Sequence, residues 1–456
     1  MTQPTGATGI GAAVSPTLVR AIGRWSLTAL AVNAIIGSGI FGLPDDIARR
    51  VGAAAPLAYL LAAIGMGIVM GCFAEVASQF GRAGGPYLYA RVAFGRFAGI
   101  EMGWFAWLVR ITSAAANANL FVVYLGQFLP SAANPFVRAG LLAGLVGFFG
   151  VVNVKGVRSG TRVSDIFAIA KLVPIAIFVA TGLFYVGRNI HVGPSGAPGG
   201  EWLQAILALV FAYGGFEAAL MPMGEAKDPR RDAPFALFAA LALVAVVYVL
   251  VHLVVMGAFT DPSAFNIPEV RDRPVAEAAR VFLGAGGASL IAIGVMVSTY
   301  GNLAAQFITA PRLTFAFAEA GDFPKPFAAV HPRFRTPYVS IIVHVVAVGA
   351  LAIAGSFIWN AILSAAARLL TYGLVCAAVP VLRRRLPDTP AFRLPGGMIL
   401  PSLGLAFCIV IAAYMDRSQM GIIGLVALAA ALNWVWARGR PRGSDPAGDR
   451  PMPGSS

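Results

Sequence analysis

Long apolar runs bounded by Pro, Gly or charge recur along the whole chain. They fall at 26–50, 54–80, 97–128, 135–153, 163–187 and 201–224, then at 233–259, 285–318, 337–356, 358–382, 398–415 and 419–437. Each is close to or longer than the ~20 residues that a helix needs to cross ~30 Å of hydrocarbon. The pattern predicts an all-α polytopic membrane protein with 12 transmembrane helices. Composition points the same way: 58% of the 456 residues are hydrophobic and only 12% charged, where soluble proteins carry about 25% charged residues. A soluble multidomain protein is excluded, and so is a disordered chain, which is apolar-poor and charge-rich. The lipid bilayer is the expected surrounding.

The net charge of +14 does not point to nucleic acid. Basic residues come in twos to fours between apolar runs and form no continuous basic face. Their placement instead orients the chain. With a cytoplasmic N-terminus, the inner connections hold 23 of the 34 Lys and Arg and the outer ones 8. The positive-inside rule then puts both termini in the cytoplasm. Residues 1–24 lack a signal-peptide core and read as one cytoplasmic tail, with 438–456 as the other.

Two spans are interrupted near their middle. Span 1 reads AVNAIIGSGIFGLP, with Gly37, Ser38 and Gly39 at depth; span 6 reads LVFAYGGFEAAL, with Gly214 and Gly215 at a similar depth. Adjacent glycines weaken a helix by ~1 kcal/mol each relative to Ala. Irregular backbone in a membrane is tolerated where it lines a cavity or is buried in protein. Small residues also serve close helix packing. The spans lie five helices apart and enter from opposite sides, the offset of an inverted repeat whose site lies between broken helices. The expected organisation is a first repeat over 25–187, a second over 201–382, and two further spans over 398–437.

IIGSGIFGLP, CFAEVASQFGRAGGPYLYARVAFG (72–95) and STYGNLAAQFITAPRLTFAFAEAGDFPKPFAAVHPRFRTP (298–337) resemble motifs of the amino acid–polyamine–organocation transporters. The resemblance extends over about residues 20–440. It implies a leucine-transporter-like fold, a 5+5 inverted repeat with two extra helices, and the movement of amino acids across the plasma (inner) membrane. Such a site needs donors for a carboxylate and acceptors for an ammonium. Unwinding at Gly37 exposes the N–H groups of Ser38, Gly39 and Ile40 at a helix N-terminus, which favours an anion. The carbonyls of Ile35, Phe211, Ala212 and Gly214 become acceptors beside Gly215. By resemblance, Phe211 occupies the place of an aromatic lid.

Charges within spans are costly and usually functional. Six stand out: Glu75, Glu101, Arg110, Lys171, Glu217 and Arg368. Glu217 follows the span 6 break and matches a family glutamate linked to gating; a purely structural cap is the other reading. Glu75 reads as helix–helix glue. Arg110 and Arg368 either face the cavity or pair with acids. Lys171 lies ~12 Å along span 5, from where it either snorkels or, as the resemblance implies, holds span 1 carbonyls and Ser298 in place of a sodium ion and couples transport to protons. Thr112, Ser113, Tyr300 and Asn302 are candidates for side-chain recognition, with neutral amino acids the leading substrates. His252 and His344 read as core residues.

Cys72, Cys376 and Cys408 have no metal spacing, and no nucleophile elbow, zinc motif or Walker lysine occurs. No enzyme activity, cofactor or metal is expected. The reading is a proton-coupled secondary transporter working by alternating access. An amino acid/polyamine exchanger, or a sensor of the same fold, is the alternative.

Overall fold

The computed structural model describes residues 22–80, 85–156, 161–187, 192–193, 195–221, 225–259, 261–387 and 391–438, of which 161–170 and 262 are described by backbone alone. The expected tails fall outside these residues except for 22–24 and Arg438. Arg82, Arg158, Arg188 and the 222–224 end of span 6 fall outside them too.

Backbone in lipid has to satisfy its hydrogen bonds internally, and the described residues form helices without a named strand. Span 1 divides into α1 (Arg24–Ile35), α2 (Gly39–Gly42) and α3 (Pro44–Val51). Span 2 is α4 (Ala55–Ser78), and α5 (Gly85–Phe94) leads into span 3, α6 (Arg96–Leu125). Spans 4 and 5 are α7 (Pro135–Lys155) and α8 (Thr161–Val186). Span 6 begins as α9 (Gly199–Tyr213) and continues as a tight 3-10 turn, Phe216–Leu220; span 7 is α10 (Pro229–Ala258). The short α11 (Pro268–Asp272) precedes α12 (Pro274–Glu319), which bends at Gly284, so span 8 starts at 285 as expected. Spans 9 to 12 are α13 (Tyr338–Ala354), α14 (Phe357–Arg385), α15 (Ile399–Ala412) and α16 (Arg417–Arg438). Nine stretches among the described residues are long and apolar enough to cross a membrane, and the helical segments Lys171–Val186, Tyr338–Ala354 and Ile399–Ala412 are shorter apolar ones.

Local chemistry sets the helix starts. Pro at the first turn lacks only an N–H that would have no partner there, as at Pro44, Pro135, Pro229 and Pro274. Asn134 caps α7 by accepting from the Phe136 N–H at 2.9 Å, and Ser356 caps α14 by accepting from Trp359 at 3.2 Å.

The bundle has a centre and a rim. In α6 and α14, 78% of the most apolar window is buried, against 22% in α7 and 17% in α16. The rim presents apolar side chains such as Phe136, Phe184 and Leu425 outward, as a lipid-facing surface requires. Around the centre, span 1 packs on span 7 and span 6 on span 2, span 3 on span 10 and span 8 on span 5. Spans 2 and 7, 3 and 8, and 4 and 9 also pair.

Ion pairs tie helix ends. On one face Asp322 holds Arg96 at 2.7 Å and Arg91 at 3.2 Å. On that face Arg383 forks onto Glu75 at 2.6 and 2.7 Å, and the Leu394 N–H donates to the same carboxylate. Glu75 is therefore glue between span 2 and the end of span 10. On the opposite face Arg50 links Asp46 and Glu201, each at 2.9 Å. Cys72, Cys376 and Cys408, remote in sequence, meet where α4, α14 and α15 pack, as free buried thiols.

Candidate functional site

The two breaks face each other. α1 ends at Ile35, the chain turns through Ile36, Gly37 and Ser38, and α2 restarts at Gly39. The N–H groups of Phe41 and Gly42 reach back to the Ser38 carbonyl at 3.2 and 3.1 Å. Those of Ser38, Gly39 and Ile40 have no acceptor among the described residues. Opposite, Gly214 is extended and Gly215 has φ +107, the left-handed conformation that favours glycine. A Cβ at Gly39 would lie 2.8 Å from Ala212 Cα, and one at Gly215 only 2.5 Å from the Ala34 carbonyl oxygen. The glycines thus break both helices and let the two backbones touch; breaking and close packing turn out to be one arrangement.

Between the breaks lies a cavity of about 130 Å³. Gly37, Ser38, Gly39, Phe211, Gly214, Gly215 and Glu217 line it from spans 1 and 6. Phe211 also packs edge-on against Phe357 at 6.1 Å. One face of α6 contributes Arg110, Ser113 and Asn117, spaced so that each lies one turn beyond the last; α12 contributes Asn302 and Gln306, one turn apart, and α14 contributes Arg368. Two candidates do not belong here. Thr112 returns its hydroxyl to the Leu108 carbonyl at 2.7 Å, and Tyr300 packs its ring at a tilt against Phe149, centroids 4.9 Å apart. Each sits beside a lining residue in sequence but on another side of its helix.

Arg368 donates to Glu217 at 2.5 Å, Tyr372 donates to it at 3.0 Å, and Glu217 accepts from the Gly215 N–H at 3.0 Å. The carboxylate therefore both caps the broken helix and fixes it to span 10. Lys171 is 3% exposed and donates to the carbonyls of Asn33 at 2.6 Å and Ile36 at 2.8 Å. Those carbonyls are freed where α1 stops. The ammonium is thus engaged with the break and does not snorkel. The expected bond to Ser298 is not made: the Ser298 hydroxyl is buried without a partner.

A match to the amino acid permease family extends over residues 22–432. The chain belongs to that family. It is similar to the serine/threonine exchanger SteT of Bacillus subtilis (strain 168), 28% identical over 431 residues that cover 90% of this chain and 95% of that protein. It is also similar to the branched-chain amino acid permease BcaP of the same organism, 28% identical over 421 residues, 86% of this chain and 87% of that protein. The arginine/agmatine antiporter of Chlamydia pneumoniae is 24% identical over 449 residues, 92% of this chain and 90% of that protein. These are transporters rather than enzymes. This multi-pass permease accordingly has the family's leucine-transporter-like fold.

Two features of the permease were not read from its sequence. The Tyr248 hydroxyl of α10 sits 2.9 Å from the Ala212 carbonyl and 3.2 Å from that of Ile35, tying both breaks together. The Phe211 carbonyl accepts from Gly214 at 3.3 Å. Of the four carbonyls expected to be open acceptors, only that of Gly214 has no donor among the described residues; the others keep one lone pair each. The second feature is the stripe that adds Asn117 and Gln306 to Ser113 and Asn302. Its signal was the run of polar residues at helical spacing after Arg110.

Proposed function

We propose that this permease is a secondary active transporter that carries amino acids across the plasma membrane by alternating access, with cytoplasmic termini and proton coupling through Lys171. The facing breaks carry the reading. They place unpaired N–H groups of Ser38, Gly39 and Ile40 at a helix start, suited to the substrate carboxylate. They set this start opposite the Gly214 carbonyl and the remaining lone pairs of Ile35, Phe211 and Ala212, suited to its ammonium. The packing supports two inverted halves, 25–187 and 201–382. Exchanging each span of one half for its counterpart five later turns the contact of spans 1 and 7 into that of 6 and 2, and the contact of 3 and 10 into that of 8 and 5.

Counterflow tests the reading. Proteoliposomes loaded with one unlabelled amino acid are expected to accumulate the same labelled amino acid transiently. A thermal-shift screen of the twenty amino acids identifies the ligand beforehand. A ligand that stabilises the protein without counterflow would instead mark a sensor. The similarity to a serine/threonine exchanger and an arginine/agmatine antiporter favours obligatory exchange as the second reading, in which uptake requires a loaded interior.

Phe211 and Glu217 take the gating role in this proposal. Glu217→Gln keeps an acceptor for the Gly215 N–H but leaves Arg368 without its counter-charge. Turnover is expected to fall roughly tenfold or more, since removing one partner of a buried pair is strongly unfavourable. Half-saturation should change little. Initial rates across a substrate series check this, and undiminished turnover would leave Glu217 a helix cap only.

A further inference from the structure

The charges around the cavity do not balance. Arg110 and Arg368 line it with Glu217 as the acid, and Glu217 is already engaged by Arg368, Tyr372 and the Gly215 N–H. Arg110 makes no hydrogen bond or ion pair among the described residues, although Glu217 and Arg368 lie within electrostatic reach. A guanidinium does not give up its proton in a protein. Arg110 is the fifteenth residue of a 30-residue helix, roughly 20 Å from either end at 1.5 Å per residue, so its side chain cannot reach an interface. His344 on the adjacent α13 supplies no anion to it: its ring is buried, has no partner among the described residues and packs edge-on against Phe307.

An unpaired cation in mid-membrane is retained where it meets a ligand or lines a path. The zwitterionic part of an amino acid does not need this one, because the broken helices supply its donors and acceptors. Beside Arg110 stand Ser113, Asn117, Asn302 and Gln306, and the buried Gln306 amide oxygen has no partner. This wall is polar and carries one positive charge more than a neutral side chain would use. A cavity of about 130 Å³ also suits a short side chain.

We propose that the substrate is an acidic amino acid whose side-chain carboxylate is held by Arg110, with the Ser113 hydroxyl and the Asn117 amide N–H group of the same wall completing its hydrogen bonds. This reverses the expectation of a neutral substrate, which rested on the small and apolar residues of spans 1 and 6. It rests on the amino acid site proposed above and names that site's substrate class.

The test compares each acid with its amide, a near-isosteric pair differing by one charge. Counterflow of labelled L-aspartate against L-asparagine, and of L-glutamate against L-glutamine, is measured with the reconstituted wild type. The acid of at least one pair is expected to have a half-saturation about tenfold or more below its amide, the scale of a charge-assisted hydrogen bond. Arg110→Gln should remove that preference by raising the acid's half-saturation several-fold more than the amide's, and Arg110→Lys should restore part of it. Wild-type transport of the amide, or of other neutral amino acids, equal to or better than the acid overturns this proposal and leaves the amino acid site standing. Equal loss of acid and amide in a monodisperse Arg110→Gln also overturns it, since Arg110 would then be structural. If none of the twenty amino acids shows counterflow or a thermal shift, the site reading itself falls. The wild-type comparison decides the matter even if the variants do not fold.

Discussion

Gly39→Val is expected to abolish counterflow, with a rate at least about a hundredfold below wild type. A Cβ at this position would lie 2.8 Å from Ala212 Cα and 2.9 Å from its Cβ. Most of this obstacle is backbone, so no rotamer change relieves it, and a branched side chain adds two further carbons. The variant must push α2 away from α9. That separates the N–H groups of Ser38, Gly39 and Ile40 from the carbonyls of Ala212 and Gly214, the two sets that a single substrate has to span. The physical cause is thus the loss of contact between the breaks, rather than simple blocking of the N–H groups. Gly39→Ala should fall between the two. Gly144→Ala, where a Cβ meets nothing within 4 Å, should leave the rate unchanged. The measurement is the initial counterflow rate of detergent-stable, monodisperse variants. A folded Gly39→Val at wild-type rate would remove the facing-break site from consideration.

What could be read from the sequence was what a residue does to its own backbone. Gly37 to Gly39 and Gly214 with Gly215 end helices wherever they stand in a long apolar run, so both breaks were visible. The proline- and charge-bounded runs gave helices, nine stretches of the described residues being long and apolar enough to cross a membrane and three others shorter, although span 1 consists of three pieces and span 6 continues as a 3-10 turn. What could not be read was which side of a buried helix faces the cavity. Helix α6 is buried nearly all round, so its apolar pattern has no solvent side to orient it, and Thr112 could not be told from Ser113. Long-range partners were equally hidden. Glu75 meets Arg383 across 308 residues, and Tyr248 reaches Ile35 across 213. Only packing brings them together.

Lys171→Met should abolish the response of uptake to an imposed pH gradient. The lysine donates to the carbonyls of Asn33 and Ile36 at 2.6 and 2.8 Å, two acceptors that the end of α1 leaves without helical partners. A cation is favoured at a helix C-terminus by the helix dipole, so the protonated amine steadies the break while the substrate is held. A neutral amine loses both charge-assisted bonds, worth roughly twice a neutral hydrogen bond each. Proton loss on one side of the membrane and gain on the other would then alternately release and restore the break, which is the coupling proposed here. Methionine has similar length and suits an apolar setting but carries no proton and donates nothing. The variant should therefore keep counterflow, at a reduced rate, and lose accumulation driven by an inward proton gradient. In the wild type, replacing sodium with choline should change nothing. Uptake that needs a sodium gradient and ignores the pH gradient would exclude proton coupling through Lys171. Uptake indifferent to both gradients but dependent on an internal amino acid would establish exchange, and the lysine would then be a fixed counter-charge for the two carbonyls, a role that asks for an ammonium but never for its proton to leave.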